Sequence, residues 1–257
     1  MSMEQYVPRV EGHAMVLGGS GGIGSEIVRA LLANGASAVS FTYSSRKAVG
    51  EALAAELSAD GHRAAAFALR DLHDAAAVDA VLAQAVAWAG EEITTGVNTV
   101  GISPNTELEA QTPDEWRRVQ DINVTGNFFA ARTLALRMRA QGVKGALVLL
   151  SSDNATVSWS PISAHYDASK AAVELNVRHL AFHFARDGIR VNGVAPGWVE
   201  TSMNDSLPAD ERADVYSRIW LGRFARPAEI ASVVAFVAGR GASFMTGTVV
   251  VVNGGFR

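Results

Sequence analysis

Short apolar runs alternate with longer stretches of helical spacing along the whole chain, and this rhythm predicts repeated βα units around a parallel sheet. The apolar runs predict strands at 13–17, 38–43, 63–68, 95–98, 146–150, 190–194 and 248–252. Between them, apolar residues recur at helical spacing over 23–34, 47–59, 74–89, 113–141, 166–186 and 227–238. Local punctuation agrees with these bounds. Thr112 offers a capping hydroxyl, Pro113 suits the first helical position, and Asp114 and Glu115 put acids in the first turn. Gly35, Gly61 and Gly188 stand where helices close. Seven strands and six main helices imply an α/β, doubly wound parallel sheet with helices on both faces, built as one domain over 1–257. The stretch 197–223 is the one long irregular segment. It follows the sixth strand, which puts it at the C-terminal edge of the sheet, where open α/β folds bind ligands, and it is assigned as a substrate loop.

Composition removes several classes of function. Hydrophobic residues at 49% and charged residues at 19% suit a packed globule and exclude a disordered chain. A net charge of −4 without a dense basic patch argues against nucleic-acid binding. The absence of cysteine excludes a disulfide framework and a thiolate metal site, and it is compatible with a reducing cytoplasm. The first 13 residues lack an apolar signal-peptide core, and no apolar run reaches about 18 residues, so neither secretion nor membrane spanning is expected.

The segment 16–24, VLGGSGGIG, follows the first strand and opens the first helix. Such a loop lets backbone amides approach a pyrophosphate and aims a helix N-terminus at its charge. Two registers fit: Gly19, Gly21 and Gly24, or Gly18, Gly22 and Gly24. At the end of the second strand, where an acid would hold the ribose of NAD, stand Tyr43, Ser44, Ser45, Arg46 and Lys47, with no carboxylate before Glu51. Hydroxyls and cations suit a 2′-phosphate, which favours NADP(H) over NAD(H). The competing reading is that Arg46 and Lys47 only solvate a helix start.

Tyr166 and Lys170 lie four residues apart in a helical pattern and therefore share a face. A phenol titrates near pH 10; an ammonium one turn away favours the phenolate and lowers that value, making tyrosine usable as a general acid or base. Taken alone, the pair could be a helix-surface accident. His179 and His183 are also four apart, but no third ligand accompanies them, so they read as packing or subunit-contact residues and not as a metal site. His165 is expected to point away from the chemistry. Trp159, Trp198 and Trp220 are candidates to line a substrate pocket.

In these motifs the chain resembles the classical short-chain dehydrogenase/reductase family over almost its full length. The likeness rests on Gly18, Gly22 and Gly24, on Asp71 in LRDLHD, and on NTVG from Asn98 to Gly101. It continues through Asn123 in DINVTGNFF, Ser152 in LLSSDN, Tyr166 and Lys170 in YDASK, PGWVET from Pro196 to Thr201, and the closing TGTVVVVNGG. The resemblance implies a Rossmann-like fold and a catalytic tetrad of Asn123, Ser152, Tyr166 and Lys170. In that scheme Tyr166 moves the proton, Lys170 lowers its pKa and holds the nicotinamide ribose, Ser152 binds the substrate oxygen, and Asn123 holds a water linking Lys170 to solvent. It also implies cofactor contacts from Gly18, Ser20, Gly22, Ile23, Gly24, Tyr43, Ser44, Arg46, Lys47, Asp71 (to adenine), Asn98, Gly101, Tyr166, Lys170, Pro196, Gly197, Val199 and Thr201.

The chain departs from the family pattern at Leu17, which replaces a threonine, at Val100, which replaces an alanine, and in the polar ITTG before Val97. Ser152 also stands 14 positions before Tyr166, one more than the commonest spacing, which brings Ser151 and Asp153 into consideration. The implied activity is NADP(H)-dependent ketone reduction, reversible as secondary-alcohol oxidation, on a small-molecule carbonyl or alcohol substrate. An alternative is reduction of 3-oxoacyl groups on acyl carrier protein. Against it, Val143 and Asp187 stand where carrier-binding arginines are expected, although Lys144 and Arg186 are adjacent. A third reading, from another class, is a catalytically silent NADP(H)-binding regulator, which would not need the Tyr166 and Lys170 that are present. The resemblance further implies a homotetramer joined through the long fifth and sixth helical patterns and the C-terminal segment.

Overall fold

All seven strands lie in one parallel sheet, ordered β3-β2-β1-β4-β5-β6-β7. The computed structural model describes residues 7, 9–157, 161–202, 204 and 207–256. The strands are β1 (His13–Leu17), β2 (Ala38–Tyr43), β3 (Ala64–Ala68), β4 (Ile93–Asn98), β5 (Ala146–Leu150), β6 (Arg190–Pro196) and β7 (Val249–Val252). The inner strands are short apolar runs covered on both faces; HAMVL in β1 and ALVLL in β5 are buried throughout. Order reverses between β1 and β4, and the crevice for a ligand opens there, beyond the C-terminal ends of the strands.

Helices cover both faces. Helices α1 (Gly22–Ala33), α2 (Lys47–Ala59) and α8 (Pro227–Ala238) pack one side, with Ile27, Leu31, Phe41, Ile230 and Val234 in its core. Helices α3 (Ala75–Ala89), α5 (Asn127–Ala140) and α6 (Ala164–Phe184) pack the other, around Met15, Leu82, Leu134, Leu147 and Phe184. Phe41 is wholly buried between α1 and the sheet, so its truncation to alanine would cost about 3–5 kcal/mol. The capping signals behave as their chemistry requires: Thr112 accepts from the Glu115 amide, Asp74 accepts from Ala76 and Ala77, and Gly35, Gly61 and Gly188 close helical segments at positive φ.

Two expectations are corrected. The continuous helix expected over 113–141 is α4 (Pro113–Gln120), a π segment (Asp121–Gly126) and then α5. The π segment widens the helix at Asn123 and Gly126, both buried, and side-chain periodicity does not reveal an added residue of that kind. The irregular stretch expected over 197–223 contains α7 (Ala209–Arg218), amphipathic and too short to stand out among polar residues. It docks through Val215 and Ile219 onto Phe224, with Trp198 packed against that small core. Strand β4 also starts two residues earlier than its polar ITTG suggested, because Thr95 is buried between neighbouring strands. Met203, in the same stretch, lies outside the described residues. Among those residues no helix is long and apolar enough to cross a membrane.

Candidate active site

At the switch point, the glycine segment turns from β1 into α1. Gly18 has φ +83, a conformation that favours glycine. A Cβ on Gly24 would sit 2.3 Å from the Gly18 carbonyl oxygen, so the turn closes only without one. Thr42 ties the loop down: its hydroxyl accepts from the Gly18 amide at 2.9 Å, and its carbonyl from Ser20 at 3.4 Å. The Gly21 N-cap of α1 offers no side chain to the helix amides, and a Cβ there would meet nothing closer than 3.4 Å. Those amides take no side-chain cap, as a phosphate-binding turn needs. Arg46 reaches toward the same turn, its guanidinium 3.9 Å from that Cβ position. Lys47 instead pairs with Glu51 at 3.5 Å on the surface, Ser44 is exposed, and the Tyr43 ring lies over Gly50. Asp71 spends its carboxylate on the His73 amide and ring, which hold it below the usual carboxylate range.

Deeper in the crevice, Ile23, Thr99, Gly101, Pro196, Val199 and Thr201 line a cavity of about 120 Å³ together with Ser152, Tyr166 and Lys170. Asn98, the last residue of β4, accepts from the Val100 amide, while its buried Nδ2 has no partner. The bare α1 terminus, the unpartnered Asn98 amide and the glycine-lined path between them fit a dinucleotide.

A second chamber of about 250 Å³ adjoins the first, with Ser152, Tyr166 and Gly197 in both walls. Its lining includes Ser103, Asn105, Asp153, Asn154, Ile162, Ser163, Trp198, Asn204, Leu207 and Glu211. Ser152 shares the chamber wall with Tyr166, whereas the Ser151 hydroxyl turns away to the Lys170 carbonyl and Glu174. The register is thereby decided: of the two serines, Ser152 faces the chamber. Asn123 is buried and fully engaged, accepting from the Ile102 amide and donating to the Ile102 carbonyl and Ser169.

Burial dominates the electrostatics of the pair. Lys170 donates to the Leu150 carbonyl at 2.8 Å, and its Nζ stands 5.5 Å from the centre of the Tyr166 ring. Burial pulls the ammonium down to about 8. Burial also pushes the Tyr166 phenol up to about 12; Ser152 pulls the other way, and Asp153 and Asp167 add to the rise. Burial is the largest influence on Tyr166, and its phenol is held protonated at neutral pH. Asp153, which sequence spacing brought in only as a neighbour of Ser152, is itself unusual: burial lifts its carboxyl to about 6 against a hydrogen bond from Asn253.

Of the three candidate pocket tryptophans, Trp198 lines the chamber and stacks on Phe224. Trp220 packs instead over the Gly255 turn and is 68% exposed, and Trp159 lies outside the described residues. His179 and His183 are exposed on α6. His165 is buried at the start of α6, its Nδ1 accepting from the Tyr166 amide. The chamber walls from Ser103, Asn105, Asn154 and Glu211 carried no local motif; they come together only through loop packing.

Comparison with known proteins places this geometry. A family model described as enoyl-(acyl carrier protein) reductase matches residues 18–257. The chain is 35% identical over 253 residues to cis-4-hydroxycyclohexanecarboxylate dehydrogenase of Sinomonas cyclohexanicum, covering 98% of each chain. It is 37% identical over 251 residues to galactitol 2-dehydrogenase (L-tagatose-forming) of Cereibacter sphaeroides, covering 95% of this chain and 94% of that one. Among solved structures, it matches a gluconate 5-dehydrogenase from Burkholderia cenocepacia J2315 in complex with NADP and tartrate, with a TM-score of 0.90, 28% identity and 98% of each chain covered. The chain belongs to the classical short-chain dehydrogenase/reductase family. Membership carries a coarse activity, oxidoreduction at alcohol and carbonyl groups with a nicotinamide cofactor.

Proposed function

We propose that this protein is an NADP(H)-dependent ketone reductase, working in reverse as a secondary-alcohol dehydrogenase. One observation carries the reading: Ser152 and Tyr166 stand together in the wall shared by a glycine-rooted crevice and a separate polar chamber, with Lys170 behind them. When bound, the nicotinamide supplies the hydride chemistry at the substrate carbon. Ser152 orients the substrate oxygen and stabilises the charge developing there. Tyr166, protonated at neutral pH, donates to that oxygen in reduction and accepts in oxidation. Lys170 has two ammonium protons beyond the one given to Leu150, available for ribose hydroxyls and for proton supply. Asn123 holds the Ile102 backbone beside Gly101 and keeps that wall in place. The dinucleotide would run past Gly18, Ser20, Gly22, Ile23 and Gly24, with Asn98, Gly101, Pro196, Gly197, Val199 and Thr201 around the reactive end. NADP(H) is favoured over NAD(H) by Arg46 and Ser44 beside an uncapped helix start, while Lys47 is drawn off by Glu51.

Reduction of carrier-bound 3-oxoacyl groups is the weaker reading, because Asp187 and the Arg139 it binds at 2.8 Å neutralise one another where a free cation would be wanted. A homotetramer is supported by apolar side chains left on the outside: Leu175 and Phe182 on α6, Phe236 on α8, and Phe244 and Val251 in the C-terminal segment. A cytoplasmic location rests on the cysteine-free composition. The test of activity is cofactor oxidation followed with ketones, ketoses, steroids and 3-oxoacyl thioesters, using NADPH and NADH in parallel. Tight NADPH binding with no turnover would favour the silent regulator, and a higher kcat/KM with NADH would overturn the cofactor assignment.

A further inference from the structure

The substrate chamber is acidic and contains no cation among its described lining residues. Asp153 stands at its base, 6% exposed, where its Oδ1 accepts from Ser152 and its Oδ2 from Asn253. A Cβ on Gly197 would come within 3.0 Å of that Oδ2, so the carboxyl lies close against the shared wall only because that residue is glycine. Glu211, on the first turn of α7, stands at the mouth. The lining also holds amides and hydroxyls, Asn105, Asn204, Ser103 and Ser163, together with the Trp198 ring. Lys170 is buried behind Tyr166 and lines only the inner cavity, so its charge does not offset the acids where a substrate tail would lie.

From this lining we infer that the chamber selects an uncharged, multiply hydroxylated small molecule and rejects carboxylates, with Asp153 as the specificity-determining residue. The inference rests on the ketone/alcohol reading of the same site. A hydroxyl donates to a carboxylate at little cost, whereas a carboxylate brought beside a desolvated Asp153 meets like charge with no cation among the described lining residues to compensate it. A chamber of about 250 Å³ is below the usual range for drug-sized ligands and suits a chain of about six carbons better than a fused-ring alcohol. Asn105 is an amide with both donors and an acceptor, and Asn204, its Nδ2 given to the Val199 carbonyl, keeps its Oδ1 as an acceptor; hydroxyls can satisfy such groups and an apolar skeleton cannot.

Binding and turnover are measured separately so that the two readings fail separately. The Tyr166→Phe protein, saturated with oxidised cofactor, is titrated calorimetrically with a set of hexitols of different configuration and with the aldonates of the same carbon skeletons. At pH 7.5 at least one hexitol is expected to bind about tenfold or more tightly than its aldonate, and Asp153→Asn is expected to shrink that ratio at least threefold. Glu211→Gln, at an exposed position that folding does not depend on, is expected to shrink it by a smaller factor. Aldonates binding as tightly as hexitols, no hexitol binding to cofactor-loaded protein, tighter binding of a steroid alcohol, or a ratio unmoved in both variants would each overturn the inference. Hexitol binding without turnover by the unsubstituted enzyme would sink the catalytic reading and leave this one standing. Turnover of ketones without hexitol binding would do the reverse.

Discussion

The two ends of the sheet bury polar groups to similar depth and treat them in opposite ways. At the N-terminal edge, buried groups are supplied with partners. His13 lies between the Ser40 hydroxyl at 2.8 Å and the Glu91 carbonyl, and Asn192 bridges the Met245 carbonyl and the Thr248 amide. Arg190 gives its guanidinium to the carbonyls of Val237, Ala238, Gly239, Ala242 and Met245, stapling the end of α8 and the turn that follows. Arg240 Nε is the exception there, and burial still lowers the pKa of His13 and of Arg190, both of which keep their hydrogen-bond partners. At the C-terminal edge, Asn98 Nδ2 and Asp167 Oδ2 are buried without partners, and Asp153, Tyr166 and Lys170 are all displaced from their ordinary titration ranges by desolvation. Unmet hydrogen bonds and displaced pKa values cost stability, and an edge that binds a ligand retains them because the ligand meets them. The larger concavity, about 610 Å³, lies at the satisfied edge, so size alone would point to the wrong end of this molecule.

If the contrast is sound, changes at the two edges separate activity from stability. Tyr166→Phe should have the largest effect, lowering kcat about 10²–10⁴-fold while fluorescence titration shows NADPH binding retained. Near-normal turnover would remove Tyr166 from the mechanism. Arg190→Met should do the opposite. Stripping several carbonyls of their donor is expected to lower stability in urea by about 3 kcal/mol, with kcat/KM per folded molecule unchanged within about twofold.

Charge at the C-terminal edge should cost stability. Asp153 titrates near 3.8 when unfolded and at about 6 in the fold, so between those values the folded state binds more protons. Stability therefore falls as pH rises through that window, and the cost is complete above about pH 6. Asp153→Asn is expected to raise stability at pH 7.5 by on the order of 2 kcal/mol, with the gain fading toward pH 4. No gain at pH 7.5 would mean that the carboxylate is not strained. His13 predicts the smallest effect, with the reverse slope. Burial lowers its pKa, so the unfolded state binds the extra proton, and stability is lost as pH falls below about 6.5. His13→Gln should flatten that part of the pH profile of urea midpoints.

The seven strands, the caps at Thr112 and Asp74 and the glycine turn were legible because each is written in neighbouring residues. Local signals also named Ser152, Tyr166 and Lys170, and the structure brings those three together. The π segment at Asn123 and helix α7 were not legible: one is a single-residue change of winding and the other a short amphipathic turn in a polar stretch. The surroundings of the Tyr166 and Lys170 pair were not legible for a related reason. Helical spacing says that two side chains share a face, but not that the Leu150 carbonyl from another strand captures the ammonium.

By itself, the sequence determined the parallel α/β sheet, the direction of its ligand edge and the residue types available for proton and hydride chemistry. All of these follow from periodicity and turn chemistry within a few residues. Only the tertiary structure decided which serine faces Tyr166, that the phenol is held protonated, and that Asp153 and Glu211 share one chamber. Those properties depend on desolvation and on contacts between segments up to about 100 residues apart, such as Asp153 with Asn253. No local pattern encodes them.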